Sequence, residues 1–427
     1  MGGSFCSGPF AVSGFRGKSE DVLKVNHYGV PMTRLRRWPY TFAMVLALLV
    51  GAAAVFSSLY LHLPLKDPDG FLGPSYIRLP LLALGILGAG LVVEAVRRSG
   101  WRDLTSSVID IVRKEWNTHR LLCIGAGLLS FYVCYVAYRN LKSVLPVYRE
   151  HTLFDQQLFR LDHWLMGGNT PAVLLHELLG TGIAANLLSI AYLAYLPLIP
   201  ISLGAVLVLN RRHAVGAWYT TMLSLNWVLG TVSYYLLPSV GPVFSHPEVF
   251  RALPDTGVSE LQESLIDTRL DYLSNPIGSD SIQGVAAFAS LHVSVTFAAA
   301  LFMTLTKQHR AVRTFTWIFF AVTVVATLYF GWHYILDDIA GIGIGWASVM
   351  LAARVTGHRR NRSRPVAPSL ELMDSALHVA DPEPVAKPEP VAEPASAAEP
   401  EPAPALGVAP GPAPALSPET ERLERPA

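Results

Sequence analysis

Long apolar runs separated by short polar stretches recur along most of this chain. They show neither the strict alternation of a half-buried strand nor a narrow helical stripe. A membrane-crossing helix needs roughly 17–25 predominantly apolar residues. Runs of that kind lie near residues 40–62, 78–96, 121–138, 184–209, 214–237, 282–305, 314–330 and 334–355. The pattern predicts about eight spanning helices, and so an all-α, polytopic membrane bundle.

The polar stretches orient the bundle. Basic clusters precede the first run (RLRR), separate the second from the third (RRSGWRD to RKEWNTHR), and follow the fourth (NRRH), sixth (KQHRAVR) and eighth (HRRNRSR). With eight alternating spans, all five fall on one side, which the distribution of Lys and Arg assigns to the cytoplasm. Both termini lie there too, in a multi-pass protein of the cell membrane. The opposite side receives the segment 139–183, the loop 238–281 and the Gly331-Trp332-His333 turn. Within the first of these, Leu153, Phe154, Leu158, Leu161, Trp164 and Leu165 recur at helical spacing, with Asp155, Gln156, Arg160 and Asp162 between them. This is an amphipathic helix, either lying in the interface or packed on the outer ends of the spans. Gly167-Gly168-Asn169 is positioned to end it.

Composition sharpens the picture. The chain is 51% hydrophobic and only 15% charged, against about 25% charged in soluble domains. A net charge of +1 gives no global attraction to nucleic acid. Cys6, Cys123 and Cys134 show no paired spacing, and two lie inside apolar runs, so neither a disulfide nor a metal site is expected. No cofactor is implied. The order along the chain is an N-terminal segment 1–38, with Met32 as an alternative start, then two additional helices and a basic loop over 39–120. A membrane core follows over 121–357, and a Pro/Ala/Glu-rich tail over 358–427 that cannot bury a core and should be disordered.

Chemistry-bearing residues stand out against the apolar background. The stretch SLHVS places His292 in the sixth run, two to three turns from its outer end. The stretch GWHYILDDIAG places His333, Asp337 and Asp338 where the seventh run hands over to the eighth. His333 and Asp337 are four apart and would share a helix face. The carboxylate could then hold one imidazole N–H and fix the tautomer, as the Asp of a triad does. Asp338 points elsewhere, toward a cap or solvent. A His–Asp pair at a span end fits a structural role as well as a catalytic one. Arg139, Lys142 and Arg149 in YRNLKSVLPVYRE are the best cations on the outer side, with Arg251 a weaker one. His246 reads as a solvated loop residue.

SLHVS followed by GWHYILDDIAG resembles the second and third signature motifs of the type-2 phosphatidic acid phosphatase superfamily. The form His-Tyr-x-x-Asp, from His333 to Asp337, followed by a small-residue helix is more similar to its inositol phosphorylceramide synthase branch. The resemblance covers roughly residues 139–355. It implies a six-helix core with an active site at one membrane face and phosphoryl transfer through a histidine. On matching positions, His333 would be the nucleophile, Asp337 its orienter, and His292 the group that protonates the leaving oxygen and then deprotonates the acceptor. The chain departs from the superfamily at Ala326 and Thr327, where Ser-Arg is usual. It departs again in YYLLPSVGPVF, which keeps Pro238, Gly241 and Pro242 but has no cation. Charge neutralisation of the phosphate then falls to Arg139, Lys142 or Arg149, with Ser290 as a further candidate. Lys142 and Arg149 have the spacing of the first motif's cations but lack its proline, Glu150 following Arg149.

The expected function is that of a membrane phosphotransferase or phosphatase whose partners are lipids: a lipid-linked phosphate or phosphodiester as donor, and a lipid alcohol or water as acceptor. Two other classes share the apolar pattern, a lipid transporter and an inactive scaffold. A transporter tends to carry internal repeats and ionisable groups at the bilayer midplane, whereas these charges cluster at span ends. The joint presence of His292, His333 and Asp337 argues against a scaffold.

Overall fold

In the computed structural model the described residues are 38–358, apart from 67, 69–74, 150–151, 211 and 280–281. Met32, most of the N-terminal segment and the Pro/Ala/Glu-rich tail lie outside them. Among the described residues the chain is all-helical. The elements are α1 (Thr41–Leu61), α2 (Ser75–Ser99), α3 (Leu104–Glu115), α4 (Thr118–Tyr148), α5 (Asp155–Leu165), α6 (Pro171–Leu179), α7 (Ile183–Leu209) and α8 (His213–Leu236). They continue with the single turn α9 (Pro242–Ser245), a 3₁₀ turn (Pro247–Phe250), α10 (Gly257–Ser274), α11 (Leu291–Leu305), α12 (Arg310–Tyr329) and α13 (Ile335–Val355).

Each of the eight expected spans has its helix: α1, α2, α4, α7, α8, α11, α12 and α13. Of these, α1, α4, α7, α12 and α13 are long and apolar enough to cross a membrane. The centre of the bundle is built where α4 packs on α8 and α11 packs on α12 and α13. Its core includes Tyr138, Met222, Trp227 and Phe302. The indole of Trp218 donates to the Val349 carbonyl (3.0 Å), tying α8 to α13 deep in the core. The first two long helices are part of this packing rather than a separate body, α1 lying on α4 and α2 on α7.

One close approach sets the geometry of everything above it. A Cβ added at Gly341 would stand 2.5 Å from the Ser290 carbonyl oxygen, and one at Gly345 2.5 Å from that of Ser294. Two glycines four apart thus let the backbone of α13 lie directly on the start of α11, as small residues do between membrane helices.

Two helix boundaries differ from the sequence pattern, each for a local reason. α4 runs through Pro146 to Tyr148, so Arg139 and Lys142 stand on a helix and not in an outer loop. Proline removes the hydrogen bond to the carbonyl four residues back. Here that carbonyl belongs to Lys142, and the amide of Gln283, wholly buried, donates to it instead (2.7 Å). The second difference is α11, expected from residue 282 but beginning at Leu291. Before it the chain is irregular, and its amides are satisfied by side chains: Phe288 N–H donates to Ser239 Oγ and Ala289 N–H to Ser233 Oγ. Ser290 caps α11. His292 therefore sits in the first turn of its helix, not two to three turns inside it.

The segment carrying Asp155 and Asp162 is the amphipathic helix α5, packed on the ends of the spans. Its buried face is Asp155, Leu158 and Asp162, while Trp164 is 77% exposed. Gly167 and Gly168 follow it with φ of 62° and 95°, the left-handed conformations that stop a helix.

Candidate active site

His292, His333, Arg139 and Lys142 line one cavity of about 260 Å³. Its other walls are largely aromatic and apolar, with Phe131, Leu196 and Ile199 among them. Phe131 precedes Lys142 by eleven residues on α4, which is about 16 Å along a helix at 1.5 Å per residue. The cavity is polar where the histidines meet and apolar toward the middle of the bundle.

The imidazoles of His292 and His333 face each other with ring centroids 5.9 Å apart. His292 is held between Tyr192 and Tyr195, at 4.5 and 4.3 Å. The Tyr192 ring lies parallel to Trp332, immediately before His333, at 5.3 Å. The Tyr195 hydroxyl donates to the Leu291 carbonyl (3.2 Å). These tyrosines were not singled out from the sequence, where they read as part of an apolar helix. Their signal is a spacing of three on α7, which places both rings on one face.

Asp337 stands behind His333. The distance from His333 Nδ1 to Asp337 Oδ2 is 3.4 Å, and the carboxylate is fully buried. The two do not share a helix face as the spacing of four suggested. His333 precedes the N-cap Tyr334, and Asp337 is in the first turn, where its Oδ2 accepts from Tyr334 N–H (3.0 Å). A carboxylate in that place closes the helix N-terminus and turns back toward the residue before it. The backbone of Ala287 hydrogen-bonds the His333 ring as well. Asp338 is not solvent-facing: it is 4% exposed and accepts from Thr327 Oγ1 (3.0 Å). Thr327, one of the two positions that depart from the superfamily motif, thus joins α12 to α13.

Lys142 is buried, with its ammonium 4.8 Å from the Tyr234 ring centroid. Arg149 lies elsewhere, lining a second cavity of about 180 Å³ together with Arg269. The two cavities share Val240 and Val285 in their walls. Ser290 is buried and its Oγ accepts from Val293 N–H (3.4 Å) as the cap of α11; it does not line the histidine cavity. Arg251 is exposed. His246 is half-buried and stacked on Phe159 at 3.7 Å, because α5 covers the loop that carries it.

The residues that sequence reasoning missed are the carboxylates of α5. Asp155 accepts from Gly241 N–H (2.9 Å), Val240 N–H (3.1 Å) and the Tyr334 hydroxyl (3.0 Å). Asp162 accepts from Ile335 N–H (3.2 Å). Together they fasten the 238–242 loop and the start of α13, and hence His333 between them. Burial pushes the Asp162 carboxyl up to about 7 and raises that of Asp155. Gly241 permits the turn, with φ of 100° and a virtual Cβ only 2.5 Å from the Trp332 carbonyl oxygen.

A family model described as the PAP2 superfamily matches residues 156–351. The matched region contains His292, His333 and Asp337; Arg139, Lys142 and Arg149 lie before it. No curated protein and no solved structure gave a match to this chain. Similarity to that superfamily supports, at the coarse level, a phosphoric ester hydrolase or transferase of the lipid phosphatase kind.

Proposed function

We propose that this protein is an integral membrane phosphotransferase or phosphatase acting on a lipid-linked phosphate or phosphodiester through a phosphohistidine on His333. The observation that carries the reading is the pair of facing imidazoles in a cavity with Lys142 at the same end and an apolar wall below. Phosphoryl transfer needs a nucleophile, a proton donor on the other side and positive charge for the equatorial oxygens. His333, His292 and Lys142 supply these in turn, with Arg139 as a second cation. The lipid chain runs along Phe131, Leu196 and Ile199.

In the first step His333 carries its proton on Nδ1, facing Asp337, and the lone pair of the deprotonated Nε2 attacks phosphorus. A P–N bond forms, the P–O bond to the leaving group breaks, and His292 gives its proton to that oxygen. Asp337 holds the other ring nitrogen and stabilises the charge that develops on the imidazole. In the second step His292 takes a proton from the acceptor hydroxyl, whose oxygen forms the new P–O bond as the P–N bond breaks.

The acceptor in this reading is an alcohol, as in the inositolphosphotransferase-like branch. The adjoining second cavity, with Arg149 and Arg269, favours it because it offers room for an acceptor beside the donor phosphate. Hydrolysis is the same chemistry with water. The histidine end of the bundle faces the extracytoplasmic side, because the basic loops lie at the other end.

The test is incubation of purified protein with labelled membrane lipids, with and without an alcohol-bearing lipid. A new phosphodiester lipid supports transfer, and free phosphate supports hydrolysis. Neither product, with no labelled His333, overturns the reading.

A further inference from the structure

The end of the bundle away from the histidine cavity carries a second cluster of chemically active side chains. His119 and Cys123 stand one turn apart at the start of α4, and His213 is the first residue of α8. His119 Nδ1 lies 3.8 Å from Cys123 Sγ. The His119 and His213 rings are 5.1 Å apart, edge to face. One donor atom from each of the three residues falls within 4.8 Å of the others.

We propose that His119, Cys123 and His213 bind a borderline-soft divalent transition metal of the zinc class, which staples α4 to α8. No local pattern points to this site, because Cys123 lies in an apolar run and His213 is 90 residues away. The donor set is the one such ions prefer, two imidazoles and a thiolate. With Zn–N of about 2.0–2.1 Å and Zn–S of about 2.3 Å, a tetrahedral ion sets its ligand atoms roughly 3.3–3.6 Å apart. The Cys123–His119 pair is already close to that spacing, and small ring movements bring in His213. Cys123 is 1% exposed while His119 is exposed and His213 half-buried. The thiolate is therefore shielded from oxidants, and the ion reaches the site from solvent past the imidazoles. The neighbouring Arg120 does not occupy it; its guanidinium donates to the Val208 carbonyl (2.7 Å) and stacks over Trp116 at 4.2 Å.

Three protein ligands leave one position for water. The site is nonetheless too far from the reaction cavity to act on substrate: Cys123 and Lys142 are 19 residues apart on α4, about 28 Å along the helix. Its effect is on the packing of two helices, α4 bearing Lys142 and α8 lying against α11.

The test uses the full chain in detergent, stripped with a chelator and titrated with Zn²⁺ against a chromophoric competitor, and separately with Co²⁺. One high-affinity ion per chain is expected, with a thiolate-to-cobalt charge-transfer band and a raised melting temperature on Zn²⁺ addition. Cys123→Ser should abolish the band, and His213→Ala should weaken binding by more than about 100-fold, since even outer-shell changes cost 10–100-fold. Both variants should elute as the wild type does in gel filtration. Absence of binding to the wild type overturns the proposal. So does tight binding that survives in the triple variant His119→Ala, Cys123→Ser, His213→Ala.

Discussion

The backbone N–H of Ser290 donates to the backbone carbonyl of Asp337 at 3.0 Å. This one bond joins the residue that caps α11 to the first turn of α13. It fixes the two histidine-bearing segments to each other immediately beside His292 and His333. The glycines one and two turns further along α13 continue the same contact.

That contact predicts a sharp positional effect. Gly341→Ala and Gly345→Ala should each lower the melting temperature and the turnover, because the new methyl meets backbone that cannot retreat. Overpacking of this kind costs about 1–3 kcal/mol. Gly343→Ala, whose Cβ would meet nothing within 4 Å, should leave both unchanged. Thermal denaturation in detergent and a turnover assay on the three variants decide it.

The mechanism predicts distinct failures for its three members. His333→Ala should abolish the phosphoenzyme. His292→Ala should slow departure of the leaving group and be partly rescued by a substrate with a good one, since acid–base help is worth about 10²–10⁴ in rate. Asp337→Asn should keep substrate binding and lose most turnover. Rapid-quench trapping of labelled protein separates the cases; a phosphoenzyme on a residue other than His333 would refute the assignment.

Lys142 is expected to hold the phosphate. Lys142→Met, close in length and uncharged, should reduce kcat/KM by at least about 100-fold, in line with loss of a charge-assisted contact worth roughly 3 kcal/mol. Arg149→Met should affect use of the acceptor more than release of the donor's leaving group. Steady-state kinetics with donor and acceptor varied separately test both.

Asp162 makes a signed prediction about pH. Its carboxyl is raised to about 7 in the folded protein, against about 3.9 when unfolded. Between these values the unfolded chain has released a proton that the folded one retains, so this group's contribution to stability falls as pH rises from about 4 to about 7. Asp162→Asn keeps an acceptor for Ile335 N–H and removes the titration. Its melting temperature should therefore drop less than the wild type's over that range, measured by thermal scans at a series of pH values.

Orientation is testable with single cysteines in a Cys6→Ser background, the other two native cysteines being buried. Asn169→Cys, at the histidine end, should react with an impermeant thiol reagent in intact cells. Arg310→Cys, at the other end, should react only after lysis. The reverse pattern would place the histidine cavity inside.

The helices follow from the chain alone, because apolar length and turn chemistry are local properties. Each of the eight apolar runs carries a helix, and Ser290 and Asp337 act at helix starts as residues of their type do. His292 and His333 were legible as a pair because the spans alternate in direction. The exact start of α11 was not legible, because residues 282–290 are as apolar as a span. What keeps these residues out of the helix is a set of hydrogen bonds from their backbone N–H groups to Ser239 Oγ, Ser233 Oγ and the Asp337 carbonyl, all distant in sequence. Which carboxylates matter emerges only from the packing. Asp155 and Asp162 looked like the wet face of an interfacial helix. They are buried because Tyr334 and Ile335, 179 and 173 residues later, bring hydrogen-bond donors to them. A local pattern records that a residue is polar; only the folded chain records what it faces.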